Sequence, residues 1–251
     1  MNQRCDRRWE SGPGPLRALL LAALLVLPAG LRADWVALTD TVSSGGTVPD
    51  NHPAGWSRSQ TVSGLPGRIV DVRVTLNLSG GFNGDLYAYL THESGLAILL
   101  NRSGLSGTDD SGYGDQGFSI TLQDGASAGD VHWYGNSGDY AVNGSGQATG
   151  TWQPDGRYVS PLASGSAIAG ASRENLLNQF AGGNPNGSWT LFVADVAAGG
   201  QSVVSSWSMG MNTTAGVPEV GSGMMGLLAT GVVVWVVSRK ARKQARVEKA
   251  R

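Results

Sequence analysis

Residues 69–95, "IVDVRVTLNLSGGFNGDLYAYLTHESG", decide the architecture. Val70, Val72, Val74, Leu76 and Leu78 fall on one face of an extended chain and Asp71, Arg73, Thr75 and Asn77 on the other. This period of two is that of a half-buried strand. Gly80, Gly81 and the Asn83-Gly84 step then interrupt it, and Asn-Gly tolerates the positive φ of a tight turn. Beyond the turn, Leu86, Ala88 and Leu90 alternate with Tyr87, Tyr89 and Thr91 as a second strand. Asp85 therefore stands where turn becomes sheet. A carboxylate there caps backbone N–H groups, joins a calcium site, or acts as a nucleophile, and the rest of the chain has to separate these roles.

The same pattern recurs along the chain. "GFSITLQD" turns Phe118, Ile120 and Leu122 to one side, "SWTLFVAD" turns Trp189, Leu191 and Val193, and "VVSSWSMGM" turns Val203, Trp207, Met209 and Met211. One segment, "SRENLLNQFAGG", has a helical pattern, with Ser172 as cap, Leu176, Leu177 and Phe180 as apolar face, and Gly182-Gly183 as stop. Many short strands, 38 glycines and one short helix predict an all-β fold, an antiparallel β-sandwich or jelly roll.

Both ends of the chain read as addresses. Residues 1–33 join a basic start (Arg4, Arg7, Arg8, Arg17) to the apolar run "ALLLAALLVL" and a small residue, Ala33, which predicts a secretory signal peptide and export. After the domain at 34–213 come a Pro/Gly spacer at 214–222, an apolar transmembrane segment at 223–238 and a basic tail at 239–251 that the positive-inside tendency keeps in the cytoplasm. Val217-Pro218-Glu219, the apolar segment and the Arg-rich end together resemble the PEP-CTERM sorting signal of bacterial surface proteins. Val220 replaces the second proline of the commonest motif. The resemblance implies an exosortase-like sorting enzyme as partner and an envelope or extracellular-matrix location. Simple C-terminal membrane anchoring is the alternative.

The formal charge of −1 conceals a segregated distribution, because residues 34–237 contain no lysine and only six arginines against sixteen acidic residues. An exported part near −10 repels nucleic acid and favours cations. The single cysteine, Cys5, lies in the signal segment, so the domain has no disulfide framework and relies on its core, on metal, or on both.

The order of the strand motifs resembles the P domain, or Homo B domain, that follows the catalytic domain of proprotein convertases. "GRIVDVRVTLNLSGGFNGDLYAYLTHESG" is similar to that family's opening strand, Gly-Asp-Leu turn and second strand. "GSWTLFVAD" is similar to its Gly-x-Trp-x-Leu-x-Val-x-Asp, and "VVSSWSMGM" to its closing tryptophan strand. The matches span residues 64–211. The histidine that often precedes Gly-Asp-Leu is absent, Ser79 standing near its place, and residues 125–187 are longer and richer in glycine than the usual middle. The resemblance implies a jelly roll that accompanies serine endopeptidases, and makes Asp85 and Asp195 loop-fixing carboxylates.

No catalytic residue is assigned from the sequence. His52, His92 and His132 are accompanied by no Gly-x-Ser-x-Gly elbow and no His-Glu-x-x-His helix. "GTDDSGYGDQG" gathers Asp109, Asp110 and Asp115 in one glycine-rich loop, and clustered hard oxygen donors suit a structural calcium ion, with Asp85 and Asp195 as further ligands. The same aspartates serve equally as turn caps. Tyr87 and Tyr89 on the polar strand face, with Tyr113, Trp133, Tyr134 and Trp152 near glycine-rich loops, suggest stacking platforms for sugars. The expectation is a non-catalytic, exported surface protein. A calcium-dependent module binding extracellular polysaccharide and an accessory domain of serine-type proteolysis are its rivals.

Overall fold

The computed structural model describes residues 35–214. The expected signal peptide, the transmembrane segment, the basic tail and Val217-Pro218-Glu219 lie outside the described residues. Among the described residues, no helix is long and apolar enough to cross a membrane.

The strands are β1 (Val36–Val48), β2 (His52–Val62), β3 (Ile69–Gly80), β4 (Leu86–His92), β5 (Gly95–Asn101), β6 (Gly117–Leu122), β7 (Ala148–Trp152), β8 (Gly187–Asp195) and β9 (Ser202–Thr213). They form a five-stranded sheet ordered β1-β9-β3-β6-β7 and a four-stranded sheet ordered β2-β8-β4-β5. The fold is an all-β sandwich, antiparallel except for the β6–β7 pair, which runs parallel. The alternating residues fill the space between the sheets: Val72, Val74, Leu76 and Leu78 of β3 and Trp207, Met209 and Met211 of β9 share one core with Leu86 and Leu90 of β4 and Trp189, Leu191 and Val193 of β8. Each such side chain contributes about 1.5–3 kcal/mol by leaving water.

Two strand faces shift relative to the alternation. Val70 is 52% exposed and Ile69 takes the core position, because the β3–β9 register slips between Ile69 and Asp71. A second slip between Asn77 and Leu78 leaves Ser205 opposite nothing, so Val204 is buried and Val203 is not. Bulges of this kind move a whole side-chain set by one residue, and strict alternation cannot anticipate them.

The helix expected at residues 172–183 does not form. Arg173 pairs with Arg157 in an isolated antiparallel bridge, and only Leu177–Phe180 winds into one 3-10 turn. The Asp124 carboxylate accepts hydrogen bonds from Leu177 N (3.0 Å) and Asn178 N (2.7 Å), so a distant side chain, not Ser172, satisfies the turn's free N–H groups. Leu177 and Phe180 still reach the core. The α-helix is α1 (Gly165–Ala169), whose cap Ser164 accepts from Ala167 N through Oγ at 3.3 Å.

Candidate functional site

The turn into β4 is built by side chains more than by turn propensity. Asn83 is fully buried. Its Nδ2 donates to Gly117 O and to Tyr134 Oη, both at 2.9 Å, and its Oδ1 accepts from Gly117 N at 3.0 Å. The expected positive φ at Asn83-Gly84 is not present: residues Asn83–Asp85 form a 3-10 turn, and the left-handed glycines are Gly80 and Gly81 (φ 75° and 61°). Glycine is required at position 84 for a different reason, since a Cβ there would lie 2.1 Å from Ser111 O.

This turn delivers Asp85 to the floor of a cleft of about 360 Å³, lined also by Phe82, Arg102, Asp110, Tyr113 and Ala197. Arg102, held in a left-handed conformation (φ 51°), donates through Nε to Gly84 O at 2.9 Å and brings Nη2 to 3.6 Å from Asp85 Oδ1. Burial raises the Asp85 pKa above the ordinary carboxylate range. The Arg102 guanidinium opposes that shift, and Asp50 adds to it. Asp195 ends β8, paired in register with Leu86. Its Oδ1 accepts from Ala197 N at 3.4 Å, whereas its buried Oδ2 has no partner. Burial pushes Asp195 up to about 6, against the Ala197 hydrogen bond and with the help of the nearby Asp85 and Asp50 charges. The structure thus joins Asp85 and Asp195 and adds Arg102, which no sequence motif marks.

The loop aspartates are used elsewhere. Asp109 Oδ1 accepts from Ser111 N (3.1 Å) and Gly112 N (3.0 Å), which is turn capping. Asp110 is exposed and takes only a long hydrogen bond from Ser111 Oγ, at 3.4 Å. Asp115 accepts the Tyr134 hydroxyl at 2.7 Å on one oxygen and the Tyr140 hydroxyl at 2.8 Å on the other. Burial first, then the Asp115 carboxylate, raises the Tyr134 hydroxyl far above its usual range; Asp115 chiefly raises Tyr140. Among the described residues, no three carboxylates or histidines come together as a group that could hold a metal ion. Asp85 and Asp195 lie together and Asp110 lines the Asp85 cleft, whereas Asp109 caps its own loop and Asp115 receives two tyrosine hydroxyls.

Two histidines show how this fold uses groups that elsewhere do chemistry. His132 Nδ1 lies 2.9 Å from Asp155 Oδ2, the spacing of a catalytic His–Asp pair. Its Nε2, however, lies 3.0 Å from Leu105 O, and both side chains are completely buried, so no substrate proton can reach the ring. Arg157 closes the network with Nη2 2.7 Å from Asp130 and Nη1 3.3 Å from Asp155, and Arg173 adds its Nε at 3.4 Å from Asp130. His92 accepts the Ser94 hydroxyl at Nδ1 (2.8 Å), while Nε2 donates to Asn186 O (3.1 Å) and the ring stacks on Trp189 at 4.2 Å. This is a nucleophile–base spacing, but Ser94 Cβ packs on Gly183 so tightly that a Cβ there would come within 2.5 Å of it. Of the candidate sugar platforms, Tyr134 and Trp152 belong to the core, whereas Tyr87 and Tyr89 stand half-buried on the outer face of the four-stranded sheet.

No family model matches the chain, and no curated protein matches it. Among solved structures it is similar to a serine protease of Aeromonas sobria (TM-score 0.38, 16% identity, over 72% of this chain and 26% of that one). The same protease in complex with a chaperone gives a TM-score of 0.37 at 16% identity, over 72% of this chain and 27% of that one. The chain thus corresponds to about a quarter of the length of these proteins.

Proposed function

We propose that this protein is a non-catalytic, P-domain-like module of the bacterial envelope, exported by its N-terminal segment and sorted or anchored by its PEP-CTERM-like end. The observation that carries the non-catalytic part is the sealing of His132: a His–Asp pair of catalytic spacing is spent on holding the fold, with Nε2 bonded to Leu105 O and neither side chain exposed. The P-domain-like part is supported by the meeting of two motifs, since Leu86 of Gly-Asp-Leu pairs in register with Asp195 of "GSWTLFVAD". The sorting part rests on the order of Val217-Pro218-Glu219, apolar segment and basic tail.

The test has two arms. Intact-mass measurement of the envelope fraction is expected to find chains lacking both the first 33 residues or so and the basic tail. Recovery of the full tail on every molecule would reduce the C-terminus to a membrane anchor, and a cytoplasmic location would overturn export. In the second arm, the purified chain is expected to hydrolyse neither peptide nor ester substrates. Hydrolysis abolished by Ser94→Ala would turn the Ser94–His92 contact into a catalytic pair and overturn the reading.

A further inference from the structure

The outer face of the four-stranded sheet differs in chemistry from the rest of this acidic domain. Across its neighbouring strands β2, β8 and β4, register aligns Ser57, Phe192 and Tyr89 in one row and Ser59, Thr190 and Thr91 in the next. These six side chains carry only hydroxyls and aromatic rings. Ser59 Oγ and Thr190 Oγ1 already share a hydrogen bond of 2.7 Å at the surface. Tyr89 and Phe192 stack at 4.7 Å with planes 15° apart, which stiffens the aromatic end. Tyr87 is turned 61° from Tyr89 and 67° from Phe192, and lines a separate cleft of about 360 Å³ walled by Tyr158, Val159, Ser160 and Pro161. Tyr158 is 71% exposed.

We infer that this cleft and the hydroxyl rows beside it bind a neutral polysaccharide, with a sugar ring seated against Tyr87 and Tyr158. Aromatic faces accept the apolar C–H face of a sugar while serine, threonine and tyrosine hydroxyls both donate and accept towards its ring hydroxyls. The charge pattern selects the neutral class. A domain with six arginines against fifteen acidic residues repels an acidic glycan at long range, and the patch itself has no carboxylate to hold a cationic one. Burial pushes the Tyr87 hydroxyl up to about 12, so it remains a neutral donor at physiological pH. The inference rests on the reading of the chain as a non-catalytic module.

Affinity electrophoresis of the full-length chain in detergent, through gels containing a neutral β-glucan, a neutral galactomannan or the acidic alginate, tests it. Retardation by at least one neutral polymer is expected, unchanged between low and roughly 0.5 M salt because no ion pair contributes. Tyr158→Ala, at an exposed position that leaves the core untouched, should weaken that retardation at least ten-fold. Tyr158→Phe should keep most of it, and Phe82→Ala in the Asp85 cleft should behave as the parent chain. No retardation by either neutral polymer, retardation by alginate alone, or an unaltered Tyr158→Ala variant would overturn the site. Those results would leave the non-catalytic module standing, whereas release of reducing ends from a polymer would overturn the module itself.

Discussion

His132 and Asp155 are hydrogen-bonded at 2.9 Å with neither side chain reaching solvent, and Arg157 approaches the other oxygen of the same carboxylate at 3.3 Å. This contact lies in the glycine-rich stretch between β6 and β8, which contributes only the short β7 to the sheets. A segment with so few ladder hydrogen bonds is fixed by side-chain polar bonds, and buried polar bonds are costly to leave half made.

Arg157→Met should therefore destabilise the domain by about 3–5 kcal/mol, because it takes the guanidinium from the buried Asp155 carboxylate and leaves the partly buried Asp130 with Arg173 alone. Urea denaturation should report a lower midpoint with an unchanged slope. A loss below about 1 kcal/mol would mean that water solvates this network as well as the guanidinium does.

The Asp195 carboxyl gives a pH signature with a definite sign. Its folded-state pKa, about 6, exceeds the unfolded value of about 3.9, so the folded state holds the proton more tightly. The contribution of this group to stability is full below the unfolded value and is lost as pH rises from about 4 through 6. Asp195→Asn, which keeps the shape without the charge, should thus stabilise the domain relative to the parent at pH 7 and lose that advantage at pH 4. Asp85, raised in the same direction by burial, remains in both chains, and because the two charges repel, removing that of Asp195 eases Asp85 ionisation and adds to the gain at pH 7. Parallel stability curves for the two chains from pH 4 to 7 would show that the Asp195 carboxyl is as well solvated folded as unfolded.

Gly84→Ala should cost about 1–3 kcal/mol by overpacking, because its Cβ would sit 2.1 Å from the Ser111 carbonyl oxygen and 2.9 Å from Gly112. Gly144→Ala, where no atom lies within 4 Å of the new Cβ, should change stability by about 0.5 kcal/mol or less. Thermal melts of the two variants side by side separate close packing from a general cost of losing glycine. Equal midpoints would mean that the 109–114 loop yields to the new methyl group.

Asp115→Ala removes the acceptor of the buried Tyr134 hydroxyl and of Tyr140, and should cost about 1–3 kcal/mol. The loss should be the same in calcium and in EDTA, since both carboxylate oxygens already receive hydroxyl protons. A calcium-dependent rise in the parent's melting temperature that this variant abolishes would instead make Asp115 a metal ligand.

The sequence by itself determined β3, β4, β6, β8 and β9 and, away from the bulges, the side of each that enters the core. Alternation through Val72, Val74, Leu76 and Leu78, and through Trp189, Leu191 and Val193, is a local property: a half-buried strand must separate apolar from polar residues every second position. It also brought Asp85 and Asp195 to strand ends, where the two motifs meet. Tertiary structure alone decided the rest. The bulges that exchange Val70 for Ile69 and Val203 for Val204 depend on the register of a partner strand far away in sequence. The apolar spacing of residues 172–183 became one 3-10 turn because Arg157, 16 residues from Arg173, and Asp124, 53 residues from Leu177, claim its backbone more strongly than its own propensity does. The aspartates of residues 109–115 read as a cluster because they are close in sequence, but Asp115 turns to Tyr134 and Tyr140 while Asp109 turns to its own loop. Carboxylates follow the donors that folding brings to them, and those donors come from long-range contacts that local spacing does not encode.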